Sequence, residues 1–382
     1  MLETPPLSLY VHLPWCVRKC PYCDFNSHAA AGSLPFGRYV DALIADLEAD
    51  LPLTWNRPLG SIYLGGGTPS LFPAAHIEAL LGAVRARMVV RPDAEITLEA
   101  NPGTVEHDSF GAYAEAGVNR VSLGAQTFDD GLLENIGRIH TAREICEALE
   151  SLATSPIENF NLDLMYALPG QRRAQLRRDL ATAIEAGAAH ISLYQLTLEP
   201  NTAFAANPPE LPGEDLAWEM QQRGAGMLAA AGYRQYEISA WARPGLRSRH
   251  NMNYWRYGDY LAIGAGAHGK VTLAAEDRII RYAKHRHPRR YMRGTESGDW
   301  LAQRRDVEAS ERLFEFFLNQ LRLKDGVSVD DFSARTGLAW SAAEDKVGLA
   351  LDKGLLSMQG RRLVATELGW RFINDIQRVF LP

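Results

Sequence analysis

The feature that most constrains this chain is a group of three cysteines, Cys16, Cys20 and Cys23, with the spacing C-x3-C-x2-C. They follow the apolar segment Leu7–Leu13, which predicts a strand that leads into a cysteine-bearing loop. Three thiolates can bind three irons of a [4Fe–4S] cluster and leave the fourth iron without a protein ligand. An open coordination position is where a ligand binds or chemistry occurs. The spacing therefore predicts a functional metal centre.

A zinc site is the alternative interpretation of the same residues. Cys16, Cys20 and Cys23 together with His12 or His28 could form a tetrahedral Cys3His site. The cysteines by themselves leave this alternative open. The polar motifs at later strand ends weigh against it, because a zinc knuckle requires none of them.

Length and composition describe an ordinary globular protein. The 382 residues predict one large domain and a smaller one, and 46% hydrophobic with 23% charged residues is typical of such proteins. The sequence has no apolar run that could span a bilayer and no export signal, so we expect a cytoplasmic protein without a transmembrane segment. Three clustered cysteines out of four fit a reducing compartment. The fourth, Cys146, follows Ile145 in a helical pattern, where we expect a buried thiol.

Short apolar strands alternate with amphipathic helices over the first two-thirds of the chain. After Leu7–Leu13, the predicted strands are Ser61–Leu64, Glu95–Glu99, Arg120–Leu123, Phe160–Met165, Ile191–Leu196 and Tyr233–Ile238. The predicted helices are Phe36–Leu51, Ala74–Arg87, Val105–Ala116, Thr141–Ala153, Gln171–Ala186 and Glu214–Ala231. This alternation predicts an α/β fold with a parallel sheet and helices outside it.

The last third departs from that pattern. Residues 240–294 are rich in Arg, His, Gly and aromatics and predict loops with short strands. From residue 307 the pattern is three helices, a hairpin and a last helix, which is winged-helix-like; the third helix is predicted at Trp340–Lys353 and the last at Glu367–Phe380. Residues 307–382 hold ten Lys or Arg and eleven Asp or Glu, and a nucleic-acid-binding surface requires a basic face. We therefore expect no nucleic-acid partner and three units: 1–240, a basic aromatic segment 241–306, and 307–382.

Glycine and polar residues recur after successive strands, where parallel α/β folds bind their ligands. They are Gly66, Gly67 and Thr68 in Gly-Gly-Gly-Thr-Pro, then Glu99, Gln126, Arg138 and Asp163. Consecutive glycines let the backbone approach a ligand and supply N–H donors. Two tyrosines, Tyr10 and Tyr22, flank the cysteines. Each residue alone is more often structural, but their recurrence predicts one ligand pocket.

Together these motifs resemble the radical S-adenosylmethionine (SAM) superfamily, and within it the oxygen-independent coproporphyrinogen III oxidase group. The resemblance implies a partial (β/α)6 TIM-like barrel with a C-terminal helical, winged-helix-like module. It implies a [4Fe–4S] cluster on Cys16, Cys20 and Cys23, whose open iron binds SAM. It places the SAM-binding residues at Tyr10, Tyr22, Gly66, Gly67, Thr68, Glu99, Gln126, Arg138 and Asp163.

Two departures separate this chain from the oxidases themselves. The oxidases carry C-x3-C-x2-C-x-C, whereas the last position here is Phe25, and only fifteen residues precede Cys16. In both respects the chain resembles the HemW-type branch, whose members bind haem and transfer it to apo-haemoproteins. The resemblance thus implies haem as a ligand and apo-haemoproteins, membrane-bound ones among them, as clients. The alternative is a catalytic radical SAM oxidoreductase that acts on a porphyrinogen.

A haem site is predicted in His250-Asn251-Met252-Asn253-Tyr254-Trp255, a segment that resembles the same branch. Imidazole is a common axial ligand, and Tyr254 and Trp255 could lie against the porphyrin. Residues 243–293 hold twelve Lys or Arg and three Asp or Glu, which suits an anionic partner. Arg247 and Arg249 are the expected propionate ligands. The alternative iron ligands are His268, His285 and His287, and the sequence leaves the oligomeric state open, a homodimer included.

Overall fold

The structure, a computed structural model, describes residues 1–54, 56–104 and 108–382. Its strands are β1 (Leu7–Leu13), β2 (Trp15–Cys16), β3 (His28–Ala29), β4 (Leu59–Gly66), β5 (Val90–Ala100), β6 (Arg120–Gln126), β7 (Asn159–Tyr166), β8 (His190–Gln195), β9 (Arg234–Gln235), β10 (Ala240–Ala242), β11 (Asp259–Ile263), β12 (His268–Leu273), β13 (Arg278–Lys284), β14 (Leu301–Asp306), β15 (Val327–Ser328), β16 (Leu356–Gln359) and β17 (Arg362–Ala365). Its α-helices are α1 (Phe36–Asp50), α2 (Ala74–Arg87), α3 (Phe110–Glu115), α4 (Asp130–Asn135), α5 (Ala142–Ala153), α6 (Arg173–Glu185), α7 (Ala203–Ala206), α8 (Glu214–Ala230), α9 (Arg249–Trp255), α10 (Pro288–Ser297), α11 (Ala309–Gln320), α12 (Val329–Thr336), α13 (Glu344–Asp352), α14 (Glu367–Arg371) and α15 (Ile373–Val379).

One large sheet organises the first 306 residues. Its order is β14-β13-β12-β11-β1-β4-β5-β6-β7-β8-β10-β9. Six consecutive members, β1 and β4 to β8, run parallel, and helices connect each to the next. The predicted partial (β/α)6 architecture is confirmed, and among the described residues the sheet stays open. The carboxyl ends of these six strands share one edge, which positions the candidate site.

The parallel strands form because their sequences are apolar almost throughout, as strands covered on both faces require. In β1, Leu9, Val11 and Leu13 are fully buried. The helical stripe of α1 buries Leu43 and Leu47 against the sheet.

Three local predictions differ from the structure. The predicted helix Val105–Ala116 begins at Phe110, where the Ser109 hydroxyl accepts from Ala112 N, and residues 105–107 lie outside the described residues. The predicted strand Tyr233–Ile238 reduces to the two residues of β9. Cys146 is exposed, because α5 buries Ile145, Ala148 and Leu152 on its opposite face. The expectation of a buried thiol was wrong.

Residues 240–294 are more regular than their polar composition predicts. Strands β11, β12 and β13 extend the large sheet, and α9 and α10 flank them. The predicted short strands are present, but the expectation that loops dominate was wrong. The polar side chains of these strands have hydrogen-bond partners that are distant in sequence. Lys270 donates to Asp259 Oδ1 at 2.9 Å, and Lys284 donates to Asp46 Oδ1 at 2.6 Å.

The C-terminal part has its own apolar core, in which Phe316, Phe317, Phe332 and Phe380 pack together. The expected order of helices and hairpin is present, with β16 and β17 as the hairpin and β15 as a third strand. The predicted helix Trp340–Lys353 is a 3-10 turn followed by α13, and Glu367–Phe380 is divided into α14 and α15 at Phe372.

A buried ionic network fixes the segment that leads into the cysteine loop. Lys284 contacts Asp46 at 2.6 Å and Asp50 at 2.8 Å, and Tyr291 also donates to Asp46 at 2.6 Å. From the same helix α1, the Tyr39 hydroxyl donates to His12 O at 2.9 Å. The end of β1 is thereby tied to α1. Within the described residues, no helix is both long and apolar enough to cross a bilayer.

Candidate cofactor-binding site

The three cysteines lie in a loop closed by a short strand pair. Strand β2, which ends at Cys16, pairs in parallel with β3, so the intervening residues form a protrusion at the carboxyl end of β1. Cys23 N donates to Cys20 O at 3.1 Å, which closes a tight backbone turn between the second and third cysteines. Cys16 is buried, and Cys20 and Cys23 are half-buried.

The chemistry of this donor set fits an iron–sulfur cluster. Burial raises the pKa of the Cys16 thiol and of the Cys23 thiol, so a metal centre must supply the charge that favours their thiolates. Among the described residues, no three His, Cys, Asp or Glu side chains converge on the position of a single ion. Three cysteines in one loop are the donor set of a [4Fe–4S] cluster whose fourth iron has no protein ligand.

The glycine turn after β4 lies directly against the cysteine loop. Gly67 N donates to Leu13 O and Thr68 N to Trp15 O, both at 2.8 Å. Gly66 has a φ of +120°, which favours glycine. A Cβ on Gly67 would lie 2.5 Å from Trp15 O, so only glycine fits this contact.

Glu99 lies at the end of β5 and reaches the same turn. Its carboxylate accepts from Tyr63 Oη at 2.8 Å and from Gly66 N at 3.0 Å. Burial raises the pKa of Glu99 to about 7. The carboxylate orders the glycine turn and also lines the cavity.

Asp163 and Gln126 lie on neighbouring strands of the same edge. The Asp163 carboxylate accepts from Ser122 Oγ at 3.1 Å and Asn161 Nδ2 at 2.9 Å, and burial raises its pKa. These bonds supply the partners that an acidic group within an apolar strand requires. Gln126 has a φ of +66°, a conformation that non-glycine residues rarely adopt outside functional or tightly constrained sites.

Arg138 links this edge to the cysteines. Its guanidinium donates to Asn101 Oδ1 at 2.8 Å and to Gly124 O at 2.6 Å, and Nη1 lies 3.8 Å from Cys20 Sγ. Arg138 is thereby held between the strand ends and the cysteine loop.

One cavity of about 420 Å³ unites these groups. Its lining includes every residue predicted for the cluster and for SAM except one: Cys16, Cys20, Cys23, Tyr22, Gly66, Gly67, Thr68, Glu99, Gln126, Arg138 and Asp163. The exception is Tyr10, whose hydroxyl bonds His12 Nδ1 at 2.9 Å and whose ring packs against Tyr63 behind the cavity wall.

The sequence interpretation missed other lining residues, among them Tyr63 and His140. His140 is 7% exposed, and among the described residues neither of its ring nitrogens has a hydrogen-bond partner. Its place in Gly-Arg-Ile-His, two residues after Arg138, was the available signal. No pattern in the sequence pointed to Tyr63, because its hydroxyl contacts Glu99, which is distant in sequence.

The residues predicted for haem lie elsewhere. His250 belongs to α9 rather than to a polar loop, because Glu95 accepts from the backbone N–H groups of Arg249 and His250, both at 3.0 Å. Its ring is 8% exposed and stacks on Tyr63 with 4.8 Å between centroids. Burial lowers the pKa of His250 to about 3.

The neighbours of His250 also have partners within the protein. Arg247 pairs with Asp325 at 2.6 Å and Arg249 with Asp93 at 2.9 Å. The Tyr254 ring stacks on Tyr260 at 4.9 Å, and the Trp255 ring lies 4.4 Å from the Arg322 guanidinium. None of these residues lines the cysteine cavity.

Comparison with known proteins places this geometry in a family. Residues 10–183 match the radical SAM superfamily model, and residues 307–372 match that of the HemN C-terminal domain. A protein named heme chaperone HemW from Escherichia coli is 47% identical over 381 residues, which is 100% of both chains. The chain belongs to the HemW family. A HemW relative from Haemophilus influenzae is 46% identical over 100% of this chain and 99% of its own.

A HemW protein from Mycobacterium tuberculosis is 33% identical over 98% of this chain and 95% of its own length. A solved structure of coproporphyrinogen III oxidase (HemN) from Escherichia coli superposes with a TM-score of 0.82 at 22% identity, covering 99% of this chain and 90% of that one. That likeness shows a shared fold for HemW and HemN. In this HemW family member Phe25, two residues after Cys23, is 60% exposed.

Substitution of the turn glycine tests the packing between cysteine loop and cavity. Gly67→Ala is expected to destabilise the protein by about 1–3 kcal/mol, because the new Cβ overlaps backbone that cannot move aside. The iron content of this variant after anaerobic reconstitution should also be lower than that of wild type. The control is Gly60→Ala on the preceding strand β4, where a Cβ would meet only Leu7 O at 3.8 Å. Equal denaturation midpoints for both variants would contradict this contact.

Glu99 gives the site a pH dependence. Its pKa of about 7 in the fold exceeds the ordinary 4.5, so the stability that the neutral acid contributes is complete below pH 4.5 and lost as pH rises through 7. Glu99→Gln removes this titration. We expect the unfolding midpoint of the variant to rise relative to wild type between pH 5 and pH 8, both in the same cofactor state. A constant difference across that range, like that of the exposed Glu78→Gln, would refute the assignment.

Proposed function

We propose that this protein is a haem chaperone: it binds a [4Fe–4S] cluster, SAM and haem, and transfers haem to apo-haemoproteins. The observation that carries the proposal is 47% identity along the whole chain to a protein named heme chaperone HemW. Phe25 in place of the fourth oxidase cysteine agrees with it.

Different residues of the cavity would bind different parts of the cofactors. Cys16, Cys20 and Cys23 would hold the cluster, which supplies an open iron to the amino and carboxylate groups of SAM. The glycine turn offers backbone N–H groups beside that iron. Glu99 and Asp163 offer carboxylate oxygens from β5 and β7, the strands on either side of β6, and these oxygens suit hydroxyl donors such as those of a ribose. The haem clients, membrane-bound haemoproteins included, are part of the proposal, as are a homodimer and a cytoplasmic location.

His250 as the iron ligand stays a prediction from the sequence. Its ring lies beneath Tyr63, and Glu95 fixes the start of α9. Coordination of haem at His250 would therefore require α9 to leave the sheet.

A paired experiment distinguishes the chaperone from an oxidase. Anaerobically reconstituted protein receives haem in one vessel, and coproporphyrinogen with SAM and a reductant in the other. We expect stoichiometric haem binding, seen as a saturable Soret band, and no protoporphyrinogen. Formation of protoporphyrinogen would replace the proposal with an oxidase, and a wild-type protein that binds no haem would end it.

A further inference from the structure

One fully buried histidine has fixed partners on both ring nitrogens and lies close to the cavity. His190 is the first residue of β8 and is 1% exposed. Its Nδ1 atom lies 2.6 Å from Asn161 Oδ1, and its Nε2 atom lies 2.8 Å from Tyr236 Oη. A buried imidazole bonded at both nitrogens fixes the orientation of the side chains that it contacts.

The register of three parallel strands places polar side chains around His190. Across β7 and β8, Asn161 pairs with His190 and Asp163 pairs with Ser192, and across β6 and β7, Ser122 pairs with Asn161. Alternate residues of a strand point to the same face of a sheet, so these five side chains share one face. Among the described residues, the lining of the cysteine cavity includes Asp163 and Ser122 but neither Asn161 nor His190. The histidine therefore reaches the cavity only through Asn161.

The hydrogen bonds of these side chains have one consistent direction. Asn161 Oδ1 can only accept, so His190 donates to it from Nδ1, and Ser192 Oγ donates to it at 3.0 Å. Burial lowers the pKa of His190 far below its ordinary value, which keeps the ring neutral. A neutral ring with its proton on Nδ1 accepts at Nε2, so the Tyr236 hydroxyl donates there.

The orientation of the Asn161 amide determines what faces the Asp163 carboxylate. With Oδ1 between two donors, Asn161 Nδ2 donates to Asp163 Oδ1 at 2.9 Å and to Ser122 Oγ at 2.7 Å. Ser122 Oγ in turn donates to Asp163 Oδ2 at 3.1 Å. A rotated amide would place its own oxygen against the carboxylate, where neither atom has a proton to donate. The proton on His190 Nδ1 excludes that orientation.

Resting on the proposed function, we propose that His190 is a positioning residue for the SAM site: through Asn161 it holds the Asp163 carboxylate ready to accept from the ribose hydroxyls of SAM. Each oxygen of Asp163 accepts one bond from the protein, and its remaining lone pairs are left for hydroxyl donors in the cavity. A carboxylate that is already fixed at both oxygens loses little freedom when a ligand binds, so the arrangement favours affinity.

Two substitutions of His190 distinguish its two nitrogens. The amide nitrogen of asparagine is as many bonds from Cα as Nδ1, and that of glutamine is as many bonds from Cα as Nε2. His190→Asn therefore retains the donor to Asn161, whereas His190→Gln loses it. In anaerobically reconstituted full-length protein, equilibrium dialysis should show that His190→Gln binds SAM about tenfold more weakly than wild type and His190→Asn within about threefold of it.

A double-mutant cycle tests whether the effect passes through Asp163. Asp163→Ala should weaken SAM binding by itself, and the addition of His190→Gln should then cause no further loss, because the side chain that His190 positions is absent. The same additional loss with Asp163 present and with Asp163 replaced would overturn the positioning role.

Tyr233→Phe is the matched control. It removes a buried hydroxyl that donates to Ala188 O at 2.6 Å, two residues before His190. It should lower the denaturation midpoint and leave SAM affinity unchanged. Ser192→Ala, a smaller change, removes the second donor to Asn161 and should weaken SAM binding several-fold, so it tests the inference even where His190→Gln does not fold. Iron and sulfide content verifies that each variant keeps its cluster.

Failure of the positioning role is distinguishable from failure of the proposed function. If wild type binds SAM and both His190 variants bind it equally well, or equally weakly, the positioning role is overturned and the proposed function stands. If wild type binds haem but no SAM, the SAM part of the proposed function fails and the positioning role fails with it.

Discussion

Serine at Cys20 should abolish the iron–sulfur cluster. Wild type reconstituted without oxygen should contain about four irons and four sulfides per chain, and the variant should retain almost none. The loss is expected to be large because two thiolates cannot hold a cluster whose fourth iron already lacks a protein ligand. Cys20 is half-buried and serine is nearly isosteric with it, so the fold should persist. Iron and sulfide analysis with visible absorption measures the effect.

Cys146→Ser is the matched control. It removes a thiol of the same chain from the exposed face of α5, away from the loop. Cluster content should equal that of wild type. A cluster that survives Cys20→Ser, or one lost in Cys146→Ser, would show that the three-cysteine loop is not the cluster site.

Lys284→Met is expected to cost about 3–5 kcal/mol of unfolding free energy. It removes the ammonium between Asp46 and Asp50 and leaves two carboxylates buried without a countercharge. Burial already raises the pKa of both carboxyls with Lys284 present. Without Lys284 their pKa should rise further, so the loss should be smaller at pH 5, where protonation neutralises them, than at pH 8. Denaturant unfolding at both pH values measures it.

A surface ion pair of the same helix, α1, supplies the control. Arg38 of α1 contacts Glu296 of α10 at 2.7 Å, and their side chains are 55% and 58% exposed. Arg38→Met should cost no more than about 1 kcal/mol. Equal costs for both variants would mean that the buried network does not hold α1 against β13.

The sequence predicted best what depends on local pattern. The strand Leu7–Leu13 and the helix Ala74–Arg87 have the predicted bounds, because an apolar run and an apolar stripe define them without distant partners. The cavity followed from topology, since Gly67 follows β4, Glu99 lies near the end of β5 and Asp163 lies in β7, and the carboxyl ends of these parallel strands share one edge.

What the sequence could not predict depends on distant partners. Strand β13 carries Lys284 in its buried pattern, and only the carboxylates of α1 make that position tolerable. Helix α9 begins where it does because Ser248 caps it and Glu95, far away in sequence, binds its first N–H groups. The same helix buries His250, which the sequence placed in an open loop.

Haem transfer tests the central claim most directly. Haem-loaded protein is mixed with increasing concentrations of an apo-haemoprotein acceptor, and the rate of the Soret shift is measured. A chaperone that delivers haem through a complex should give a rate that rises with acceptor concentration. A rate that is independent of acceptor, equal to spontaneous haem loss, would contradict the chaperone account.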